Sequence, residues 1–110
     1  MLKNNIETFI ACDKEFNEAD IVLFGAPFDS TTSFRAGTRF GPSAIRHESF
    51  GIETYSPYQD KDMEDISVMD SGDIELAIGD TEGVLKQIDE RTEIILENNK
   101  LPFMVGGENL

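Results

Sequence analysis

The sequence predicts an α/β protein in which helices cover both faces of a parallel β-sheet. Three short apolar segments, each followed by glycine or polar residues, alternate with two segments of helical character, which gives the order β-α-β-α-β. Strands buried on both faces of a parallel sheet are continuous apolar runs, as these are. Because crossovers between parallel strands are right-handed, we expect helices on the faces of the sheet in a three-layer α-β-α arrangement. Short crossovers should place the second and third strands on either side of the first, which is then in the middle.

Each strand is predicted from a short apolar run. The first covers residues 21–24, where Ile-Val-Leu-Phe is closed by Gly25. The second covers residues 66–69, directly before Asp-Ser-Gly-Asp, and the third covers residues 101–105, directly before Gly-Gly-Glu. Pro102 is compatible with the start of a strand.

Two helices are predicted between these strands. The longer one covers residues 81–98, where apolar side chains recur at spacings near 3.6 residues. Asp80 is its expected N-cap, and Asn98-Asn99 can supply a left-handed stop. The shorter helix is predicted to start at Pro42, because proline suits the first helical position. Residues 1–18 show too weak a pattern to assign an element.

Length and composition indicate one ordinary globular domain. The chain has 110 residues, of which 39% are hydrophobic and 28% are charged. No apolar run approaches the length needed to cross a bilayer, and the N-terminus lacks a signal segment. We therefore expect a single α/β domain over residues 1–110 and a cytoplasmic location. The lone Cys12 is predicted to be a packed thiol, and with one histidine it cannot form a Cys/His zinc site.

The excess of acidic over basic residues limits the possible binding partners of the chain. A formal net charge of -13 repels nucleic acid and anionic membranes but is compatible with a cationic ligand. The acids of residues 60–75 are predicted to lie in a solvated loop and strand end, and their spacing does not complete a calcium-binding loop. No Gly-x-Gly-x-x-Gly follows any predicted strand, which excludes dinucleotide binding.

Oxygen-bearing side chains follow all three predicted strands. Open α/β sheets bind ligands beyond the carboxyl ends of their strands. Such oxygen donors suit magnesium or manganese, although acids at these positions also commonly cap loops and helix ends. The residues concerned are Asp29, Asp70, Asp73, Glu108 and Asn109.

The motifs at these strand ends resemble those of a known family. Residues 25–29 and 32–46, which include Arg35, Arg39 and Arg46, resemble the first signature of the ureohydrolases, and the agmatinase branch is the nearest likeness. Residues 70–73 and 102–108 look like two later landmarks of that family. The resemblance implies an arginase/deacetylase-like fold, of which the chain would be the N-terminal β-α-β-α-β portion and thus an incomplete domain.

The resemblance also implies a chemistry. Ureohydrolases of this type hydrolyse a guanidinium substrate, agmatine to putrescine and urea, with a hydroxide bridging two manganese ions. It implies a homo-oligomeric complete protein and a loop at the mouth of the active site. The substrate-loop candidates are Asp29, Thr32, Ser33, Arg35 and Gly37. Arg35, Arg39 and Arg46 could instead be structural, pairing with the surplus acids or capping carbonyls.

Two departures from the family pattern bear on activity. Asn109 stands where the family has a metal-binding histidine, and an amide oxygen is a weaker ligand there. The later Asp-x-His-x-Asp and Asp-x-Asp segments do not occur in this sequence. We therefore assign no catalytic residue and expect the 110-residue chain alone to be inactive. The alternative is a non-catalytic, degenerate remnant or a subunit-interaction module.

Overall fold

A three-stranded parallel sheet is the centre of the structure, a computed structural model that describes residues 2–28, 40–75 and 81–106. In chain order the elements are β1 (Ile21–Ala26), α1 (Gly41–Ser49), β2 (Tyr55–Ser56), β3 (Lys61–Asp62), β4 (Val68–Asp73), α2 (Thr81–Glu97) and β5 (Leu101–Gly106). The strand order is β4-β1-β5, with β1 parallel to both neighbours. The predicted fold class and the central place of the first strand are confirmed.

The strands are in register, so their carboxyl ends lie at one edge. Ile21 is opposite Val68 on one side and opposite Leu101 on the other, and Ala26 is opposite Gly106. The pairing of β1 with β4 shifts between Leu23 and Gly25.

The core lies on both faces of β1. On one face Val22 and Phe24 pack with Met69 and with Ile95 of α2. On the other face Leu23 packs with Cys12 and with Val68 of β4. Both sets are buried, which explains why the first strand is a continuous apolar run.

Both predicted helices are present. α1 has proline in its first turn, as expected. Asn99 has a φ of 59°, the left-handed conformation expected where α2 stops. On the predicted apolar face of α2, Val84 and Ile95 are buried, whereas Leu85 and Leu96 are largely exposed. The predicted N-cap, Asp80, lies outside the described residues.

The second strand was predicted too early in the chain. It covers Val68–Asp73 rather than residues 66–69. Its polar half fits inside a strand because its side chains find partners: Asp70 binds Arg46, and the hydroxyl of Ser71 donates to the carbonyl of Leu23. The acids of residues 60–75 were expected to lie in a solvated region. Residues 60–66 are mostly exposed, but residues 68–74 are largely buried.

The N-terminal segment, to which no element was assigned, covers the outer edge of β4. The Asn5 N–H donates to the carbonyl of Asp70 and the Lys14 N–H donates to that of Val68. In return, the Asp70 N–H donates to the carbonyl of Cys12. These backbone bonds need no particular side chain, so the sequence gives little sign of them.

A small antiparallel pair, β2 with β3, was also not predicted, since two-residue strands leave no periodic pattern. In the part of the chain that the structure describes, no helix combines the length and apolarity needed to cross a membrane.

Candidate functional site

The carboxyl edge of the sheet is also where α1 begins. A Cβ built on Gly41 would lie 3.5 Å from the carbonyl oxygen of Gly106, the last residue of β5. Pro42 lies against Gly25 near the end of β1, since its Cβ is 3.0 Å from where a Gly25 Cβ would be. The chain therefore leaves the edge after β1 and returns to the same edge at α1.

A buried ion network joins α1 to β4 at this edge. Arg46 donates from Nε to Asp70 Oδ2 at 2.7 Å and from Nη2 to Asp70 Oδ1 at 3.0 Å, a bidentate pair. Its third nitrogen, Nη1, donates to Asp73 Oδ1 at 2.7 Å. One guanidinium thus binds two carboxylates of the same strand.

Asp70 is completely buried, with 0% of its surface exposed. Besides Arg46, the Phe9 N–H donates to its Oδ2 at 2.9 Å and the Gly72 N–H donates to its Oδ1 at 3.0 Å. Four donors therefore occupy the two oxygens. The expectation that Asp70 and Asp73 offer free oxygen donors to a ligand is wrong for Asp70. The side chain of Asp73 is 28% exposed, and its Oδ1 already accepts from Arg46.

Arg46 keeps its charge in this environment. Burial alone would lower the pKa of its guanidinium, but the hydrogen bonds and charges of Asp70 and Asp73 more than offset burial and raise that pKa. The structural interpretation of Arg46, pairing with acids, is the one that the contacts support. His47, to which no role was assigned, is exposed, with Nδ1 3.7 Å from Glu7 Oε2.

Gly25 makes room for this network. A Cβ at Gly25 would overlap Asp73 Oδ1, the oxygen that accepts from Arg46. Any side chain there would displace the Asp73 carboxylate. The glycine that ends the predicted first strand is thus required by a close approach.

A second arginine lies on the opposite face of the sheet. Arg91 of α2 donates from Nη1 to Ser71 Oγ at 3.0 Å, and its guanidinium carbon lies 5.8 Å from the centre of the Phe24 ring. Burial lowers the pKa of Arg91, and the charge of Asp73 only partly offsets this.

The described residues do not form a metal site. Among residues 2–28, 40–75 and 81–106 no group of three or more His, Cys, Asp or Glu side chains is arranged to hold an ion. The predicted site residues Asp29, Thr32, Ser33, Arg35, Gly37 and Asn109 all lie outside these ranges, as do Arg39 and Glu108.

Sequence reasoning missed the specific partners of Arg46. Its separation from Asp70 is 24 residues and that from Asp73 is 27, so no local pattern connects them. The available signal was three arginines in one segment of a strongly acidic chain.

The structure is that of an α/β protein of the parallel-sheet class, and the carboxyl edge of its sheet is built from β1, β4, β5 and the start of α1. A sequence model described as the Arginase family matches residues 19–110. The chain belongs to the arginase family.

Known members of the family match nearly all of this chain. An agmatinase of Bacillus subtilis is 48% identical over 104 residues, which is 94% of this chain and 36% of that protein. The crystal structure of an agmatine ureohydrolase of Thermoplasma volcanium matches with a TM-score of 0.88 at 30% identity, covering 96% of this chain and 36% of that one. The chain spans about a third of the length of the curated relatives it matches.

A more distant solved structure contains the expected metal. The Trypanosoma cruzi formiminoglutamase, described as holding two Mn²⁺ ions, matches with a TM-score of 0.69 at 27% identity. That match covers 84% of this chain and 33% of the other.

Proposed function

We propose that this chain forms the N-terminal part of an agmatinase-type ureohydrolase, which hydrolyses the guanidinium group of agmatine to give putrescine and urea. The observation that carries the proposal is the extent of the family match. It runs over residues 19–110 and thus includes the segment after β1, the end of β4 and the residues that follow β5. These are the three places where the sheet offers a binding edge.

The geometry of the edge supports a substrate loop at residues 29–39. The segment is flanked by the end of β1 and the start of α1, and both flanks lie beside the ends of neighbouring strands. We assign Asp29, Thr32, Ser33, Arg35 and Gly37 to this loop. Binding and catalytic residues are commonly placed on loops that a rigid sheet holds.

The charge of the chain supports a cationic substrate. A net charge of -13 attracts a guanidinium or an amine and repels phosphates. As part of the same proposal, the complete enzyme is a cytoplasmic homo-oligomer that binds neither nucleic acid nor membrane.

Manganese is the proposed cofactor, but the described residues do not supply its site. Asp70 already accepts four hydrogen bonds, and no group of three or more His, Cys, Asp or Glu side chains in those ranges is arranged to hold an ion. Asn109 is the one position in this chain that we assign to the metal, in place of the family's histidine. The remaining ligands are proposed to come from the part of the protein that this chain does not span.

The test uses a graft in which residues 1–110 replace the matching part of the Bacillus subtilis agmatinase. Urea release is measured with agmatine, with arginine and without substrate, and the unmodified Bacillus protein is the positive control. We expect manganese-dependent urea release from agmatine above that from arginine. A folded graft that releases no urea, while the control does, would favour the non-catalytic alternative.

The same graft tests the role of position 109. Its Asn109→His form is expected to reach half-maximal activity at a lower manganese concentration, because imidazole is a stronger ligand than an amide oxygen. Identical manganese titrations of the two grafts would contradict the assignment of Asn109.

A further inference from the structure

We propose that Arg46 is a positioning residue of the enzyme: its network with Asp70 and Asp73 fixes the start of α1 at the carboxyl edge and so sets where residues 29–39 rejoin the sheet. The inference rests on the proposed function. It gives Arg46 no contact with substrate or metal.

α1 meets the sheet at its first turn, where Pro42 lies against Gly25 of β1, and at Arg46, which binds β4. The buried residues of the helix are Pro42, Arg46 and Ser49, whereas Ile45 is largely exposed. Ser49 hydrogen-bonds to the N-terminal segment, accepting at 2.9 Å from the Ile10 N–H. Between α1 and β4, the side-chain hydrogen bonds seen among the described residues are those of the Arg46 guanidinium.

The form of this link specifies an orientation as well as a distance. A guanidinium is planar, and here its three nitrogens are matched to three oxygen contacts on one strand. Lysine could keep the charge but could not keep the bidentate pair with Asp70. Arg46 lies five residues, about one and a half helical turns, beyond Gly41, so a tilt of the helix at Arg46 is transmitted to the point where the substrate loop ends.

The energetics favour a positioning role over simple stabilisation. A buried ion pair gains little over well-packed apolar residues, because both charges must be removed from water. Asp70 nevertheless carries four hydrogen bonds here, and Gly25 is needed for Asp73 to reach its place. Small displacements of groups that orient a substrate can lower the rate by as much as about 100-fold.

The test compares three variants of the Bacillus graft: Arg46→Lys, Asp73→Asn and, as matched control, Arg91→Lys. Arg91 is also half-buried and bound to β4, but it lies on α2. Per mole of folded protein, we expect Arg46→Lys to lower kcat/KM for agmatine about tenfold or more, with the manganese requirement unchanged. Arg91→Lys is expected to stay within about twofold of the unmodified graft.

Hydrogen exchange of peptides covering α1 gives a second readout that does not depend on activity. Exchange in α1 should be faster in Arg46→Lys and Asp73→Asn, and unchanged in Arg91→Lys. Equal kcat/KM for Arg46→Lys and Arg91→Lys, or unchanged exchange in α1, would overturn the inference.

Two further outcomes are also decisive. If Arg46→Lys does not fold, Asp73→Asn, which removes the negative charge beside Nη1 and leaves the bidentate pair with Asp70 in place, decides by the same criteria. If the unmodified graft is inactive, the proposed function is contradicted, and the α1 exchange alone decides whether Arg46 anchors the helix.

Discussion

The two sides of the sheet differ sharply in burial, and the more apolar strand, β5, is the more exposed one. On the β4 side, Met69 and Asp70 are each 0% exposed. On the β5 side, Leu101, Phe103 and Met104 are 60%, 55% and 50% exposed. We call these the closed side and the open side of the sheet.

The closed side is covered by elements that come from elsewhere in the chain. The N-terminal segment bonds to the outer edge of β4, and α1 is tied to β4 by Arg46. No described strand pairs with the outer edge of β5. An apolar run therefore predicts that a strand is suited to burial, whereas the burial itself depends on partners distant in sequence.

The largest effect is expected on activity. The 110-residue chain alone should release no urea from agmatine, with or without manganese, and Asn109→His should not rescue it. A hydroxide held between two ions requires ligands that converge from several strand ends, and one corrected ligand cannot replace the set. Urea production by either form above a metal-only control would show that the open side already carries a working site.

The next largest effect is expected on stability. It is measured with the same substitution, methionine to alanine, on each side of the sheet. In the chain alone, Met69→Ala should reduce the free energy of unfolding by about 2–5 kcal/mol, because it removes buried apolar atoms and leaves a cavity in the core. Met104→Ala, at a half-exposed position, should cost less than about 1.5 kcal/mol. In the graft, where we expect β5 to be covered, the losses in free energy of unfolding caused by Met69→Ala and Met104→Ala should become similar. Equal costs in the chain alone, measured by urea denaturation, would remove the distinction between the sides.

A smaller effect is expected from pH on the closed side. Burial, with lesser contributions from the charges of Asp70 and Asp13, raises the pKa of the Cys12 thiol to about 11. The folded state thus favours the protonated thiol, so this stabilisation is complete below pH 9 and is lost as the pH rises through 11.

The measurement is the free energy of unfolding of the graft between pH 8 and pH 11, with Cys12→Ala as the control. We expect a steeper fall with pH in the unmodified graft than in the control. Parallel pH profiles would show that Cys12 is accessible to water in its ionised form.

The sequence was sufficient to predict the strands and helices that are marked by a pattern of neighbouring residues. The apolar runs of β1 and β5, the spacing within α2 and the proline of α1 each placed an element within a few residues. The expectation that short crossovers place the other two strands on either side of β1 then gave the observed strand order.

The features that could not be predicted depend on contacts between distant residues. The late end of β4 follows from Arg46 binding Asp70 and Asp73, and the covered edge of β4 follows from backbone bonds to residues 5–14. At the candidate site, the sequence indicated which strand ends matter and that Arg46 could be structural. It did not indicate that both carboxylate oxygens of Asp70 already accept hydrogen bonds from within the protein.

Amide hydrogen exchange of β5 tests the contrast between the two sides most directly. It is measured on the 110-residue chain and on the Bacillus graft, with β1 as the internal reference in each. In the chain alone we expect the β5 amides that face away from β1 to exchange at nearly unprotected rates, and in the graft we expect them to become as slow as those of β1. Strong protection of those amides in the chain alone, or their continued rapid exchange in a folded graft, would contradict the account.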